Sequence, residues 1–202
     1  MRTLVSVDRK RRCSWAATLP EFIAYHDAEW GFAVADDHRL FEKLCLEGFQ
    51  SGLSWRTILN KRQNFRSAFA DFDFGRVARY SARDVARLLS DEGIVRHRGK
   101  IEAVINNAQR AQEMVGREGS LAAFFWRYEP AAKRPAGSKL PPTSAASVSL
   151  SRDLKELGWR FVGPTTVHAF MQAAGLINDH AKACYVHRKV DIARRKFARP
   201  VL

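Results

Sequence analysis

The sequence predicts an all-α fold on three observations. Apolar residues recur with a period of about 3.6 residues along most of the chain. No sustained alternation of apolar and polar residues and no Asn-Gly turn indicates a β-hairpin. The 202 residues, 46% of them hydrophobic, can bury a core of their own in one compact domain. We therefore expect about eight helices around a single core.

Apolar stripes and helix caps support this prediction in order along the chain. The first long helix carries the stripe Leu40, Phe41, Leu44 and Cys45. Ser54 can cap the next helix, whose stripe is Ile58, Leu59 and Phe65. Ser81 and Asp84 resemble a capping box, and Gly93 is the expected stop of the helix that they begin. The later stripes are Ile101, Val104, Ile105, Ala108 and Val115; Leu121, Phe124 and Phe125 after Ser120; Leu150, Leu154 and Leu157 before Gly158; and Val167, Phe170, Met171 and Ala174 before Gly175.

The chain shows one clear change in composition, over residues 130–149, which are rich in Pro, Ala and Ser. We expect an exposed loop there, because helical patterns resume on both sides of it. Residues 12–184 then form a single domain. Residues 1–11 form a basic N-terminal extension. Residues 185–202 are a basic C-terminal tail, which we expect to be solvated or frayed.

The charge of the chain favours a polyanionic partner. The formal net charge is +13, from 34 Lys and Arg against 21 Asp and Glu. Nucleic acid is the leading candidate, although ribosome-associated and membrane-surface proteins are also basic. No apolar run approaches the roughly 20 residues of a transmembrane helix, and no apolar segment follows the basic N-terminus as in a secretory signal. Three cysteines fit a reducing compartment, so a cytoplasmic protein is expected.

Two cysteines and two histidines stand near the two ends of the chain. Cys13 and His26 lie near its start, and His180 and Cys184 lie near its end. A helix over residues 179–184 would place the second pair on one face. Two thiolates and two imidazoles make a closed tetrahedral ligand set suited to structural Zn²⁺. Spacing alone equally allows inert buried thiols and hydrogen-bonded histidines. Cys45, between two leucines, is assigned to core packing.

Five sequence blocks carry a resemblance to a known family. The blocks are Arg12–Trp15 with Tyr25–Gly31, Leu44–Trp55, Gly93–Ile101, Phe161–Thr166, and Phe170–Ala173 with Gly175–His180. In this order they strongly resemble the DNA-3-methyladenine glycosylase I family. The resemblance covers residues 12–184 and leaves both basic termini outside it.

The resemblance implies an all-α fold of the helix-hairpin-helix glycosylase superfamily, with the N- and C-terminal segments joined by a zinc site. It assigns one structural Zn²⁺ per chain to Cys13, His26, His180 and Cys184. The DNA-binding hairpin would centre on residues 162–165, with Gly163 and Thr165 at the DNA. Glycine permits close backbone approach, and amides at the following helix N-terminus can face a phosphate. For Gly163, physics alone would favour an ordinary interhelical turn.

The implied activity is the monofunctional release of 3-methyladenine from alkylated double-stranded DNA, by a protein expected to be a monomer without membrane contact. The base must be flipped out of the duplex. A cationic flat ring suits aromatic walls and a carboxylate. The substrate-binding residues that the resemblance implies are Phe22, Tyr25 and Trp55, with Trp15 and Trp30 behind them. Glu47 is the implied catalytic acid, and we expect Glu47 and Tyr25 mainly to select and orient the base.

Several supporting residues have less defined roles. Phosphate contacts are expected from the segment of Arg96, His97, Arg98 and Lys100, or from Lys61 and Arg62. Asp179, next to His180, is interpreted as a helix cap or as a group behind the metal ligand.

Two other functions remain open at the sequence level. One is a zinc-stapled DNA-binding module without catalysis, which gives Glu47 and Trp55 no catalytic use. The other is a glycosylase with a shifted lesion range. Phe22 is the feature that favours it, because family members often carry Tyr there.

Overall fold

The computed structural model of the protein describes residues 2–131 and 141–200 and is mostly helical, as the sequence predicts. The helices are α1 Pro20–Ala28, α2 Asp37–Gln50, α3 Trp55–Asn60, α4 Arg62–Ala68, α5 Phe74–Val77, α6 Ala82–Ser90, α7 Arg98–Glu118, α8 Leu121–Trp126, α9 Ala145–Glu156, α10 Pro164–Ala173 and α11 His187–Lys196, with 3-10 turns at Ser14–Ala16 and Ala70–Phe72. None of these helices combines the length and the apolar composition needed to cross a membrane.

A short β-hairpin at the N-terminus departs from the all-α prediction. Strand β1, Thr3–Val5, pairs antiparallel with β2, Arg11–Cys13, so that Thr3 lies opposite Cys13. Three-residue strands are too short to produce a visible alternation of apolar and polar residues. The hairpin therefore ties the N-terminal residues Thr3–Val5 to Arg11–Cys13, the strand that contains the predicted ligand Cys13.

The predicted caps are confirmed, and two boundaries differ. The side chain of Ser54 accepts the backbone N–H of Thr57, and Ser81 with Asp84 forms a capping box. The single helix expected after Ser54 is interrupted at Lys61, which separates α3 from α4. Gly93 does not stop the helix before it. That helix ends at Ser90, and the N–H of Gly93 instead donates to the Asp91 side chain.

Helix α2 runs through the middle of the core. It packs against α3, α7, α8 and α10, and ten of its 14 residues are buried. The buried set contains the expected Leu40, Phe41 and Leu44, but it also contains the charged residues Glu42, Lys43 and Glu47. Because neighbours cover this helix on nearly all sides, its charged side chains face the interior, where a site can form.

The C-terminal segment is packed, which corrects the expectation of a frayed tail. Val186 and Val190 are fully buried, and α11 begins directly after Val186. The Asn178 side chain donates to Asp191 at 2.8 Å, and Arg194 reaches Glu129 at 2.6 Å. These contacts hold α11 against the domain.

The start of α9 shortens the Pro-rich loop expected over 130–149. Helix α9 begins at Ala145 with Ser144 as its cap, so residues 145–149 are helical. Residues 132–140 of that segment lie outside the described part of the chain.

Gly175 supplies a test of the packing between α10 and the segment that leads to His180. Its φ is +80°, and a Cβ added there would overlap the carbonyl carbon of Phe32. Gly52 has a similar φ of +79° with no atom within 4 Å of an added Cβ. Gly52→Ala should lower the free energy of unfolding by about 1 kcal/mol from backbone strain alone. Gly175→Ala should cost roughly 3 kcal/mol or more, because the backbone of Phe32 must also move.

Urea unfolding of both variants and the wild type measures this difference. Equal losses for the two alanines would contradict the close packing of Gly175 on Phe32.

Candidate functional site

The four predicted ligand residues form one buried cluster. Their ligand atoms all lie within 4.8 Å of one another. His26 Nε2 is 3.1 Å from His180 Nδ1 and 3.5 Å from the Sγ of Cys184. Each of the two sulfurs, those of Cys13 and Cys184, is 3.8 Å from His180 Nδ1. A tetrahedral centre with ordinary metal–nitrogen and metal–sulfur lengths has edges of about 3.3 and 3.6 Å, so the cluster fits one.

Hydrogen bonds on the far side of each imidazole fix its tautomer. His26 Nδ1 lies 2.8 Å from Asp27 Oδ1, and His180 Nε2 lies 2.8 Å from the carbonyl oxygen of Trp30. Both acceptors require an N–H at those ring positions. The lone pairs of His26 Nε2 and His180 Nδ1 therefore point into the cluster, as metal ligands need.

The second half of the cluster is built on a turn and not on the helix expected over 179–184. The N–H of Cys184 donates to the carbonyl of Ala181, and the N–H of Ala181 donates to the Sγ of Cys13 at 3.3 Å. This turn brings His180 and Cys184 together while it anchors Cys13 from the other end of the chain. A hydrogen bond from the Cys13 thiol lowers the pKa of Cys184, which favours the thiolate.

Asp27 is an important residue that the sequence did not single out. Arg12, which is almost fully buried, bonds Asp8 and Asp27 at the same time. The hydroxyl of Tyr185 donates to Oδ2 of Asp27 at 2.5 Å, whereas His26 bonds Oδ1. Burial raises the pKa of Asp27, but the hydrogen bonds from Arg12, Tyr185 and His26 outweigh it and lower the pKa overall. Asp27 is thus held as the carboxylate that orients His26.

Asp179 does not fill the predicted role of a helix cap, because the cap of α11 is Val186. It is buried and accepts the side-chain amide of Gln172 at 2.7 Å.

The predicted aromatic residues divide into two groups. Trp15 and Trp30 pack on the cluster, with ring centroids 5.5 Å from His26 and 4.7 Å from His180, respectively. Phe22 contacts Trp15 at 5.9 Å. These three rings do not line the adjoining pocket. Trp15 also contacts Tyr25, with ring centroids 6.4 Å apart, and Tyr25 in turn meets Trp55 at 5.3 Å.

A pocket that is partly open to solvent lies beside these rings. It brings together Tyr25, Glu47 and Trp55, three of the four residues for which the resemblance implies base contact, and its lining does not include the fourth, Phe22. It is also lined by residues that the sequence did not identify as pocket residues, namely Glu29, Arg39, Glu42, Lys43, Leu46, Arg62 and Ala173. The indole nitrogen of Trp55 is buried and has no hydrogen-bond partner among the described residues.

Burial dominates the electrostatics of Glu47. The side chain lies in the wall of the pocket and is almost completely inaccessible to solvent. Burial raises the pKa of Glu47 to about 8, and the charge of Lys43 acts in the opposite direction. Burial, followed by the negative charge of Glu47, raises the pKa of Tyr25, which keeps its hydroxyl neutral. The pocket therefore presents an acid that a cation would ionise.

Several of the basic residues that were expected to contact DNA phosphates instead form hydrogen bonds within the protein. Arg62 forms two hydrogen bonds to Glu29, both 2.8 Å, at the pocket. Lys100 is buried, and its Nζ donates to the carbonyls of Phe49 and Ser51 at the end of α2. Arg96 and Arg98 remain exposed on the surface.

The predicted hairpin corresponds to the turn between α9 and α10. Gly163 is the N-cap of α10, Pro164 is its first residue and Thr165 is exposed. The hydroxyl of Ser151 on α9 donates to the carbonyl of Val162 at 2.6 Å and fixes the turn. Backbone amides at the start of α10 therefore lie near the surface, where they can meet an anion.

The raised pKa of Glu47 predicts a gain in stability when its charge is removed. The folded state keeps a proton on Glu47 up to about pH 8, whereas the unfolded chain loses it near pH 4.5, so stability falls as pH rises through that window. Glu47→Gln should raise the free energy of unfolding by about 2–4 kcal/mol at pH 8 and by almost nothing at pH 4.5.

Denaturant titrations at a series of pH values test this prediction. Glu156→Gln is the control, because its side chain is exposed on α9. A stability difference for Glu47→Gln that does not change with pH would be inconsistent with a buried acid.

Comparisons with known proteins agree with this architecture. A family model described as methyladenine glycosylase matches residues 15–188. DNA-3-methyladenine glycosylase 1 of Escherichia coli K12 is 45% identical over 177 residues, which cover 86% of this chain and 95% of that protein. A crystal structure of 3-methyladenine DNA glycosylase I superposes with a TM-score of 0.83 at 46% identity, covering 87% of this chain and 99% of that one. The Staphylococcus aureus enzyme, whose structure addresses 3-methyladenine recognition, gives 0.81 at 37% identity, over 86% and 95% of the two chains. The chain belongs to the methyladenine glycosylase family.

Proposed function

We propose that this protein is a monofunctional DNA glycosylase that flips 3-methyladenine out of alkylated double-stranded DNA and releases it by hydrolysis. The observation that carries the proposal is the buried Glu47 beside Tyr25 and Trp55 in one pocket of a basic protein. The relatives named above are 3-methyladenine glycosylases, which supports the same substrate. We also propose that the protein acts as a monomer in the cytoplasm, where its thiols stay reduced.

The chemistry of the lesion explains why this pocket suits it. Methylation at N3 leaves the nucleotide base positively charged while it is attached to the sugar. When the C1′–N9 bond breaks, its electron pair passes to the base, which leaves as a neutral molecule, and water adds to C1′ with loss of a proton. The leaving base needs no protonation, so Glu47 serves to attract and orient the cation and not to supply a proton.

The walls of the pocket complete the recognition. The rings of Tyr25 and Trp55 can stack on a flipped base, and a cationic ring gains additional attraction from the aromatic faces. Trp15 packs against Tyr25, and Phe22 and Trp30 pack against Trp15. The unpaired indole N–H of Trp55 adds a donor at the pocket. The alternative of a binding module without catalysis gives the buried charge of Glu47 no role.

The α9–α10 turn, which we assign to a helix-hairpin-helix motif, binds the DNA. Gly163 and Thr165 lie at the start of α10, where backbone N–H groups can donate to a phosphate. The net charge of +13 adds general attraction to the duplex, so binding weakens as salt rises.

We further propose that Cys13, His26, His180 and Cys184 hold one structural Zn²⁺ per chain. The convergent lone pairs and the interatomic distances support a tetrahedral site. Four protein ligands leave no open position, so the ion would join the two ends of the chain and take no part in the reaction.

Base release from methylated duplex DNA tests the enzymatic proposal. The wild type should release 3-methyladenine, and Glu47→Gln should lower kcat/KM by about 10- to 100-fold through loss of an interaction with a charged group. Chromatography of released bases gives the rate, and calorimetry gives the affinity for free 3-methyladenine.

Absence of release by folded wild type would overturn the proposed activity. A selection role for Glu47 requires that base binding also weakens in Glu47→Gln. If Glu47→Gln loses cleavage but still binds free 3-methyladenine as the wild type does, Glu47 acts on the rate of base release and not on base selection.

Metal analysis tests the zinc proposal. The purified wild type should contain one zinc ion per chain, and Cys184→Ala should lose it. Asp27→Asn should weaken metal affinity by about 10- to 100-fold, because the amide no longer accepts strongly from His26. Cys45→Ala is the matched control, since Cys45 is also a buried cysteine but lies in the core away from the cluster. Equal zinc loss from Cys45→Ala and Cys184→Ala would refute the ligand assignment.

A further inference from the structure

Phe161 is an exposed aromatic residue that the proposed mechanism does not use. In the part of the chain that the structure describes, it is the only exposed Phe, Tyr or Trp, with 40% of the residue accessible to solvent. Its φ is +56°, in the left-handed region that residues with a Cβ rarely adopt. Because exposure of an apolar ring and a strained backbone both lower stability, folding alone does not account for this residue.

Side chains from two helices fix the backbone on both sides of Phe161. The side-chain amide of Asn107 on α7 accepts the N–H of Arg160 at 2.8 Å and donates to its carbonyl at 2.9 Å. On the other side, the hydroxyl of Ser151 on α9 donates to the carbonyl of Val162 at 2.6 Å. Phe161 is therefore presented from a rigid backbone, and little backbone entropy is lost when a partner binds it.

One part of Phe161 packs against the protein, close to the helix that carries the pocket acid. A Cβ added to Gly48 would lie 3.5 Å from the Cβ of Phe161, and Gly48 directly follows Glu47 on α2. The ring of His97 meets the Phe161 ring edge-on, with centroids 6.3 Å apart. Phe161 thus connects the α9–α10 turn to the end of α2, and the exposed part of the residue faces solvent.

The surface around Phe161 carries positive charge. Arg160 is exposed next to it in the chain, and the exposed Arg96 and Arg98 flank His97. Arg96 and Arg98 each form an ion pair of 3.5 and 3.4 Å, respectively, with an exposed glutamate one turn away, and such surface pairs are weak. An apolar ring among basic side chains suits a partner that combines negative charge with apolar surface, and a DNA strand alternates phosphates with the apolar carbon atoms of deoxyribose.

We propose that the ring of Phe161 packs against a deoxyribose of the DNA strand whose phosphate is bound at the start of α10, and that this contact positions the strand relative to Glu47. The contact rests on the proposed function for the identity of its partner, duplex DNA, but it does not require base release. Two residues of chain span at most about 7 Å, so Phe161 and Gly163 reach neighbouring groups of one strand. A ring partly covered by the protein offers apolar surface on one side only, which suits a sugar better than a gap between stacked bases. Phe161 is therefore a positioning residue.

Fluorescence anisotropy with a labelled, undamaged duplex at a series of salt concentrations tests the contact. Phe161→Gly should weaken binding about tenfold at every salt concentration, because the loss of an apolar contact does not change the number of counterions released. Arg160→Ala removes the adjacent exposed charge and should instead reduce the slope of log K against log salt by about one. Ile192→Ala, which removes an exposed apolar side chain on α11, is the control and should leave the affinity unchanged.

Two further variants separate the ring from the fold. Phe161→Ala keeps a Cβ at positive φ, whereas Phe161→Gly relieves that strain, so Phe161→Gly should have the higher melting temperature. Both variants lack the ring, so the affinity for DNA should fall equally in the two. Phe161→Tyr keeps the ring and should bind the duplex as the wild type does.

Base release from methylated duplex DNA measures the positioning role. Phe161→Gly should raise KM about tenfold with little change in kcat, because the sugar contact is made equally in the bound and the reacting state. Calorimetry with free 3-methyladenine should give the wild-type affinity, because Phe161 does not line the pocket.

Each outcome decides the role of Phe161. Unchanged duplex affinity in Phe161→Gly overturns the proposal. A reduced salt slope in that variant also overturns it, because the variant would then have lost charge contacts, and so does an equal loss of affinity in Phe161→Tyr. If the wild type binds the duplex but releases no 3-methyladenine, the proposed enzymatic function fails, while the anisotropy measurements still decide whether Phe161 contacts DNA.

Discussion

The convergence of Cys13, His26, His180 and Cys184 is the constraint on which the pocket depends. His26 and Tyr25 are adjacent in α1, so the interactions that fix His26 also fix the ring of Tyr25. Trp15 contacts both His26 and that ring, and Trp30 packs against Trp15 and His180. A metal ion in the cluster would therefore act on base binding indirectly, by holding one wall of the pocket at its distance from Trp55.

The other wall depends on the burial of α2. A helix covered by neighbours on nearly all sides must place polar residues in the interior. Of its three buried charged residues, Glu42 is compensated there by Arg66 from α4 and by Arg39. Glu47 and Lys43 are the exceptions, since neither has an ion-pair partner within 4.0 Å among the described residues. An uncompensated buried charge lowers stability, and such residues are typical of functional sites.

Whether a feature of this fold or site could be predicted from the sequence depends on how far apart in the chain its interacting residues lie. Helices with apolar stripes, such as α2 and α7, were predictable because the signal lies within the helix itself. Helix α11 was not, because it is rich in Arg and Lys and its contact with the core depends on Val190 and on distant partners. The four-residue cluster was suggested by the ligand types, and the family resemblance made it specific. Asp27 and Lys43 gave no local signal, because a single charged residue in a polar helix looks like a surface residue until its neighbours are known.

The charge of the protein has opposite functions on its surface and in its interior. Exposed Arg and Lys side chains attract a polyanionic duplex, and that attraction does not distinguish damaged from intact DNA. Discrimination requires the opposite sign of charge, in a place that the phosphates cannot reach. A single carboxyl group on a buried helix satisfies that requirement. Burial keeps it neutral in the empty pocket, and a cation that enters the pocket favours its ionised form.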